Sequence, residues 1–410
     1  MSYIANLNKK IKGNNKLYWL IREWYVVIYS TIARMFDKKV PNTKKRILFY
    51  HIRSLGFGGT EKMIQIISRH LDKKKYDVFF LYPNDIEKNP GFLKRLEYIK
   101  EGGVIGIPFE YKEFSSVPPH FVSGMNPDIK KLIETLNIDL LIIPDAGNAN
   151  YPFSIIKTIP VILLNIFGQP NMQENIKSHI CISKEVADKI SMIVPKNKIS
   201  VFPIPSEGPT KNSAVLGKEM REKLEIKDTD FVFGRIGRPD DGIFDPIGIK
   251  AFQKIQNEYP GAHYIIMSPP PILVDIVGKE KIKNVHFLKP SSKEDEIWAF
   301  HQSLDCLAHF RFDGESFGLN IAESMLCGKP IISHKSTIWN AHLEYLDNSF
   351  SRVADINNVD QYAGFMKEMI EAKKTGKITV MGEKAKEKAE KLFIIKNNIS
   401  GIEKIIDNIL

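Results

Sequence analysis

The residues best suited to chemistry lie in one short stretch of the sequence, Asp313–Ile332. It holds two glutamates, Glu315 and Glu323, with the seven residues S-F-G-L-N-I-A between them. A buried strand is predicted to end near His309, and a helix is predicted to begin near Gly318. A helix that begins at the carboxyl edge of a parallel sheet offers free backbone N–H groups, which attract a phosphate. Because Gly318 has no side chain, a diphosphate can approach the backbone closely there.

The two glutamates are placed for different tasks. Glu323 lies about one and a half turns into the predicted helix, near enough to its start to reach a ribose behind the phosphates. A carboxylate accepts two hydroxyl hydrogen bonds, which suits a ribose diol. Glu315 lies in the loop, where it can face a sugar carried by such a nucleotide, and is the candidate catalytic residue. The candidate ligand-binding residues of the loop and helix are Ser316, Phe317, Gly318, Leu319 and Glu323.

This stretch resembles the retaining GT-B glycosyltransferases, specifically glycosyltransferase family 4. The signature of that family is a pair of glutamates separated by seven residues, with Phe-Gly-Leu between them, and Glu315 and Glu323 fit it. The later G-K-P-I-I at Gly328–Ile332 fits as well. The resemblance implies transfer of a sugar from a nucleotide-diphosphate donor to a glycan or lipid-linked acceptor, with retention of anomeric configuration. It also implies that the reaction needs no metal ion and no cofactor besides the nucleotide-sugar co-substrate.

A second segment, F-G-R-I-G-R-P at Phe233–Pro239, is similar to the one that opens the second domain of that family. There an arginine and a lysine hold the diphosphate. Arg235 and Arg238 are the candidates, with Arg238 preferred, because a guanidinium group binds phosphate through paired donors. The family's lysine a few residues later is missing and Asp241 stands in that region, so Lys289 is a candidate replacement. The alternative for either arginine is an ion pair at the surface.

The first half of the chain carries a glycine-rich turn after its first predicted strand. Gly58 and Gly59 open the sequence G-G-T-E-K, which is similar to the family's G-G-x-E-(R/K) element and leaves room for a sugar or phosphate. A turn used only for packing is the alternative. Many family members have a cleft histidine in a V-x-x-x-H-G pattern, and Phe167 stands in its place here. Asn165 could replace its hydrogen bonds, and Asp145 is a further cleft candidate; a Phe167 that faces the core is the other interpretation.

The elements that must position these residues follow a simple pattern. Short apolar runs alternate with helical stretches in both halves, which predicts parallel sheets covered by helices on both faces. The predicted fold is α/β, with two doubly wound, Rossmann-like domains facing a cleft, as the GT-B resemblance also implies. The predicted segments are a basic amphipathic arm at 1–45, an acceptor-side domain at 46–208, a linker at 209–229, a nucleotide-sugar-binding domain at 230–390, and a C-terminal helix at 391–410 that crosses back to the first domain.

Composition excludes some classes of protein. The formal net charge is +10 over 410 residues, but residues 1–45 contribute +8 of it. The rest of the chain therefore has no broad basic face, which argues against nucleic acid as a partner. Three cysteines without metal-ligand spacing indicate free thiols and a reducing compartment. The histidines of the sequence do not have the spacing of a metal site.

The basic arm has the pattern of an amphipathic helix over Leu17–Phe36, with lysines on both sides. Three interpretations stay open. The helix could lie in the interface of an anionic membrane, span the membrane against the cost of burying Arg22 and Glu23, or pack on the body. The first is preferred and predicts a cytoplasmic protein at the periphery of the membrane.

Two rival functions stay open at this stage. One is a different enzyme of the GT-B fold, such as a nucleotide-sugar epimerase or a phosphorylase. The other is a non-catalytic GT-B scaffold that binds a nucleotide or another subunit, which Phe167 and the missing phosphate lysine favour. Glu315 argues against the scaffold, because a protein that only binds has less need of that carboxylate.

Overall fold

The computed structural model describes residues 44–51, 54–83, 90–109, 128–145, 156 and 158–410. The predicted N-terminal helix lies outside these ranges, so the three interpretations of the arm stay predictions. Within the described ranges, no helix is both long enough and apolar enough to cross a bilayer.

The first domain is built on a parallel sheet. Its strands are β1 Lys45–Phe49, β2 Tyr76–Pro83, β3 Ile105–Phe109, β4 Leu140–Asp145, β5 Val161–Asn165, β6 Ile176–Cys181 and β7 Ile199–Val201. Its helices are α1 Gly59–His70, α2 Pro90–Glu101, α3 Asp128–Thr135 and α4 Lys184–Ile190. In the described part of the chain the strand order is β3-β2-β1-β4-β5-β6-β7. The strands are apolar runs buried on both faces, as in β5, because helices cover the sheet on both sides.

The second domain repeats this plan. Its main strands are β8 Phe231–Ile236, β9 Ala262–Met267, β10 Val285–Leu288, β11 Cys306–Ala308, β13 Ile331–His334 and β15 Ser351–Ala354, and a small parallel ribbon consists of β12 Gly314–Glu315 and β14 Trp339–Asn340. Its helices are α5 Ser213–Lys223, α6 Ile247–Ile255, α7 Pro271–Lys279, α8 Glu294–Ser303, α9 Leu319–Leu326, α10 Val359–Lys374 and α11 Lys377–Phe393, followed by α12 Ile395–Ile409. Among the described residues the strand order is β10-β9-β8-β11-β13-β15.

Each sheet has a point at which the strand order reverses. In the first sheet it lies between β1 and β4, and in the second between β8 and β11. Loops that leave two such neighbouring strands diverge to opposite faces and open a crevice at the carboxyl edge, which is where doubly wound sheets bind ligands. The candidate residues after β8 and β11 therefore share one crevice.

The last helix returns to the first domain. The chain crosses at Ser206, which pairs with Ile394 in an isolated bridge. Helix α12 then packs on α1, and Glu403 accepts a hydrogen bond from the backbone N–H of Asp72 at 2.8 Å. The two domains are thus joined by contacts of the C-terminal helix as well as by the chain between them.

The predicted α/β architecture is confirmed, while some elements differ from the sequence prediction. The stretch 209–229 is not simply a linker, because it contains α5, which packs on α8. Arg221 of α5 donates to the carbonyl of Ser303 at 2.6 Å and to Asp305 at 2.8 Å. The buried residues of α5 are Ser213 and Gly217, so the helix lacks the apolar stripe that would reveal it in the sequence.

Candidate functional site

Glu315 lies on β12, just beyond the carboxyl end of β11. The parallel ribbon pairs it with Asn340 of β14 and pairs Gly314 with Trp339. Gly314 has a φ of +66°, and a Cβ placed there would lie 1.8 Å from the carbonyl oxygen of Trp339. A side chain would therefore push the ribbon apart, so this glycine is needed to set the position of Glu315.

The carboxylate of Glu315 is nearly buried, with 13% of its side chain exposed. Nε2 of His309 lies 3.2 Å from Oε1, and Nη1 of Arg311 lies 3.7 Å from Oε2. Burial alone would raise the pKa of Glu315, but the contact with His309 and the positive charge of Arg311 more than offset it and lower the pKa. Glu315 is therefore ionised at neutral pH.

The turn before α9 presents its backbone to the crevice. Gly318, the residue before the helix, has a φ of +90° and no side chain that could cap the first-turn N–H groups. The hydroxyl of Tyr345 donates to the carbonyls of Phe317 at 2.5 Å and Gly318 at 3.1 Å, which fixes the turn. Phe317 is buried against Tyr345, so its backbone rather than its ring is available to a ligand. Ser316 and Leu319 are half-buried beside it.

Arg235 is the last but one residue of β8 and is 1% exposed. Its Nε lies 3.5 Å from the carbonyl of Phe310, its guanidinium is 5.0 Å from the centre of the Phe310 ring, and Nη1 has no hydrogen-bond partner among the described residues. Burial lowers the pKa of Arg235 to about 10, so the group is a cation at neutral pH. A buried cation with an unpaired N–H group is suited to bind an anion.

The other two candidate cations lie elsewhere. Arg238 is exposed in the loop after β8. Lys289 is exposed just beyond β10, which is separated from β8 by β9; two strand spacings correspond to about 10 Å. By contrast, the amide of Asn320 on α9 donates to the carbonyl of Ile236 at 2.9 Å, which joins the end of β8 to the start of α9. Arg235 is thus buried next to this junction whereas Arg238 is exposed, and which of the two binds a diphosphate stays a prediction.

Glu323 forms an ion pair with the first domain. Nζ of Lys62, on α1, lies 3.0 Å from Oε1 of Glu323 and 3.3 Å from Oε1 of Glu294 on α8. Nε2 of His301 lies 3.4 Å from the other oxygen of Glu323. Arg95 of α2 also contacts Glu294. The predicted ribose-binding carboxylate is therefore already occupied by a cation from across the crevice.

Burial makes this ion pair strong. Lys62 and Glu323 are 7% and 6% exposed. Burial alone would raise the pKa of Glu323, but Lys62 and His301 hold it down at about 2. Burial would likewise lower the pKa of Lys62, yet the carboxylates of Glu323 and Glu294 raise it. Both groups are thus charged, and removal of either leaves an unpaired buried charge.

The glycine-rich turn of the first domain contacts the same helix. A Cβ at Gly59 would lie 3.7 Å from both Leu319 and Ile204, so the start of α1 lies against the start of α9. A Cβ at Gly58 would lie 2.4 Å from the flexible carboxylate of Glu61. The turn therefore packs on the helix that carries Glu323, and its role in making room for a sugar or phosphate stays a prediction.

The acceptor-side candidates are arranged differently. Asn165 is buried, and its amide is used within its own loop: it donates to the carbonyl of Gln169 at 2.7 Å and accepts from the N–H of Gly168 at 2.8 Å. Phe167 is 39% exposed rather than core-facing, and its ring lies 6.3 Å from that of Trp339 in the second domain. Asp145 ends β4, and its side chain is outside the described atoms.

Four residues near the glutamates were not singled out by the sequence reasoning. They are Lys62, His309, Arg311 and Asn320. Lys62 is the last residue of the G-G-T-E-K turn, so the motif indicated this turn but not the contact of Lys62 with Glu323. No group of three His, Cys, Asp or Glu side chains in the described ranges could hold a metal ion; whether the reaction needs a metal stays a prediction.

Comparison with known proteins agrees with this geometry. Residues 218–391 match the family described as Glycosyl transferases group 1. No curated protein sequence is significantly similar to this chain. Similar solved structures include a glycosyltransferase from Rickettsia africae (13% identity, TM-score 0.72, 89% of this chain and 98% of that one) and Anabaena HepE with UDP and glucose (19%, 0.68, 89% and 100%). Sucrose-phosphate synthase from Thermosynechococcus elongatus is similar as well (12%, 0.67, 89% and 99%). At these identities the likeness establishes the GT-B fold.

Proposed function

We propose that this protein is a glycosyltransferase that takes a sugar from a nucleotide-diphosphate donor bound at the crevice of the second domain. One observation carries the proposal: a buried arginine whose Nη1 has no partner among the described residues, a helix start with a glycine at the N-cap, and two ionised glutamates lie where the strand order reverses. The family match over 218–391 covers the same part of the chain.

Each part of a donor has a counterpart in the site. The diphosphate binds the N–H groups of Leu319 and Asn320 at the start of α9 and the guanidinium of Arg235. The ribose hydroxyls donate to Glu323 in place of Lys62, since a carboxylate suits a diol. The sugar then lies toward Glu315, whose negative charge stabilises the positive charge that develops on the sugar ring as the bond to the phosphate breaks.

The finer features of the reaction rest on the motif resemblance. Retention of configuration would follow from attack on the same face as the leaving diphosphate, with a donor phosphate oxygen accepting the proton. The acceptor is a glycan or a lipid-linked glycan. A role for the basic arm at an anionic membrane fits the lipid-linked acceptor, and flotation of the chain with and without residues 1–43 on anionic liposomes tests it.

The experiment that tests the proposal uses Glu315→Ala. A panel of nucleoside diphosphates is first screened by thermal shift, and donors of the best-binding base are then assayed for transfer or slow hydrolysis. We expect turnover by the wild type, a loss of about 100-fold or more in Glu315→Ala, and little change in Glu296→Ala, an exposed glutamate on α8. An inert wild type that binds a nucleotide tightly would contradict the proposal and support a scaffold.

A further inference from the structure

Glu315 is connected to the start of α9 through a buried imidazole. His309 is 3% exposed and lies directly after β11. Its backbone is fixed on both sides, since its N–H donates to the carbonyl of Ile332 at 2.8 Å and its carbonyl accepts from the hydroxyl of Tyr362 at 3.0 Å. The ring then extends between Asn320 and Glu315.

The amide of Asn320 determines which ring nitrogen carries the hydrogen. Its Nδ2 donates to the carbonyl of Ile236 at 2.9 Å, and its Oδ1 accepts from the N–H of Ile321 at 2.9 Å, which fixes the amide orientation. The second hydrogen of Nδ2 points to Nδ1 of His309 at 3.2 Å. Nδ1 must therefore be an acceptor, and the hydrogen of the neutral ring is on Nε2.

That Nε2 lies 3.2 Å from Oε1 of Glu315, although the two groups are not aligned as a full hydrogen bond. We propose that Asn320 and His309 are positioning residues: Asn320 fixes the tautomer of His309, and the Nε2–H of His309 holds Glu315 as an oriented carboxylate toward the sugar. The inference rests on the proposed function for the role of Glu315, but the contacts themselves do not. Catalytic hydrogen bonds of this kind commonly shorten when the substrate is bound.

Other charged groups around Glu315 do not replace this contact. The titratable groups that face Glu315 are His309, Arg311, His342, Arg235 and Tyr345. The two arginines stay charged at mildly acidic pH. Burial lowers the pKa of His342 to about 3 and raises that of Tyr345 far above its usual value, so both stay neutral there. A pH effect in this range therefore reports on the carboxylate of Glu315.

The first test is the pH profile of donor turnover in three variants. His309→Phe keeps a flat aromatic ring but removes the donor, His309→Gln keeps an N–H donor, and His286→Phe changes a histidine on the distant strand β10. Loss of the donor raises the pKa of Glu315, so we expect the acidic limb of His309→Phe to move up by about one pH unit, which is about a tenfold loss on that limb. The acidic limb of the His309→Gln profile should lie near that of the wild type, and the profile of His286→Phe should coincide with the wild-type profile.

A merely structural role gives a different result. An equal loss at every pH, or a His309→Gln profile no better than that of His309→Phe, would overturn the proposal. A wild type that neither binds nucleotides nor consumes donor would instead reject the proposed function, and a second measurement then decides the positioning role.

The second measurement needs no substrate. Urea unfolding at neutral pH compares His309→Phe in the wild-type background with the same change in a Glu315→Gln background. If Nε2–H holds the charged carboxylate, the change lowers the unfolding midpoint more in the wild-type background than beside the amide. Equal shifts in both backgrounds would show that His309 does not interact with the charge of Glu315, and the proposal would fail.

Discussion

The two glutamates Glu315 and Glu323 lie on one short stretch of chain, yet they are buried by different parts of the molecule. Glu315 is surrounded by its own domain, through His309 and Arg311. Glu323 is covered from the other domain, through Lys62 at 3.0 Å. The surroundings of the Glu315 carboxylate are therefore set by its own domain, whereas those of the Glu323 carboxylate depend on how the two domains are placed.

This difference separates two properties of the site. The charge and orientation of Glu315 should persist when the domains move apart, because its neighbours move with it. The carboxylate of Glu323 becomes available to a ribose only when Lys62 leaves it. Entry of a donor is thus coupled to the contact between the domains, while the group that faces the sugar is ready beforehand.

The largest expected effect comes from breaking the ion pair between the domains. Lys62→Met leaves Glu323 buried without its main partner, so the free energy of unfolding should fall by about 3–5 kcal/mol. Lys73→Met is the matched control, since Nζ of Lys73 contacts backbone oxygens just before it in sequence, among them that of Ser68. Urea denaturation measures the free energy of unfolding of both variants. Equal small losses would show that the ion pair between Lys62 and Glu323 contributes little to stability.

The pH dependence of stability sharpens the same comparison. The pKa of Glu323 is about 2 in the folded protein and 4.5 for an ordinary glutamate. A lowered pKa contributes stability that is complete above the unfolded value and is lost as pH falls toward the folded value, here about 3 kcal/mol between pH 4.5 and 2. Glu323→Gln should be less stable at pH 7 and lose less on acidification. Urea unfolding at several pH values in this range gives the stability of the wild type and of Glu323→Gln. If stability falls in parallel with pH in the two proteins, the ion pair is not strong.

Arg235 and Arg238 provide a third comparison, between a buried and an exposed cation. Arg235→Met should weaken binding of a nucleoside diphosphate by about 1.5–3 kcal/mol, or about 10–100-fold, and leave the bare nucleoside nearly unaffected. Arg238→Met should have a smaller effect. Calorimetric titration decides, and a larger loss in Arg238→Met would restore the arginine that the sequence alone favours.

The smallest effect is expected for ribose recognition. Glu323→Ala should weaken binding of the nucleoside diphosphate by about 1–3 kcal/mol, because a buried hydrogen bond to the ribose is lost. The 2′-deoxy form of the same nucleotide lacks one of the two hydroxyls, so Glu323→Ala should weaken its binding by less. If Glu323→Ala weakens the binding of both nucleotides by the same free energy, Glu323 does not bind the ribose.

The sequence predicts the elements of this site better than its contacts. The apolar runs of β8 and β9 and the spacing of Glu315 and Glu323 are local patterns, and local patterns determine strands, helices and motif positions. The preference for Arg238 stays a prediction, and the sequence does not show that Arg235 is buried beside Phe310 with an unpaired nitrogen. Such a property depends on packing between strands and loops that are far apart in the sequence.

Contacts between domains are harder still to predict. Lys62 and Glu323 are 261 residues apart, and nothing in either segment identifies the other. The same holds for Phe167, which the sequence could place in the core or in the cleft and which lies beside Trp339 of the second domain. The ribbon of Gly314–Glu315 and Trp339–Asn340 is too short to show a period.

A crystal structure with a bound nucleoside diphosphate tests the central claim most directly. The account predicts the diphosphate at the start of α9 within hydrogen-bond distance of Arg235, the ribose hydroxyls on Glu323, and Nζ of Lys62 moved away from that carboxylate. A nucleotide bound elsewhere, with Lys62 still 3.0 Å from Glu323, would contradict it.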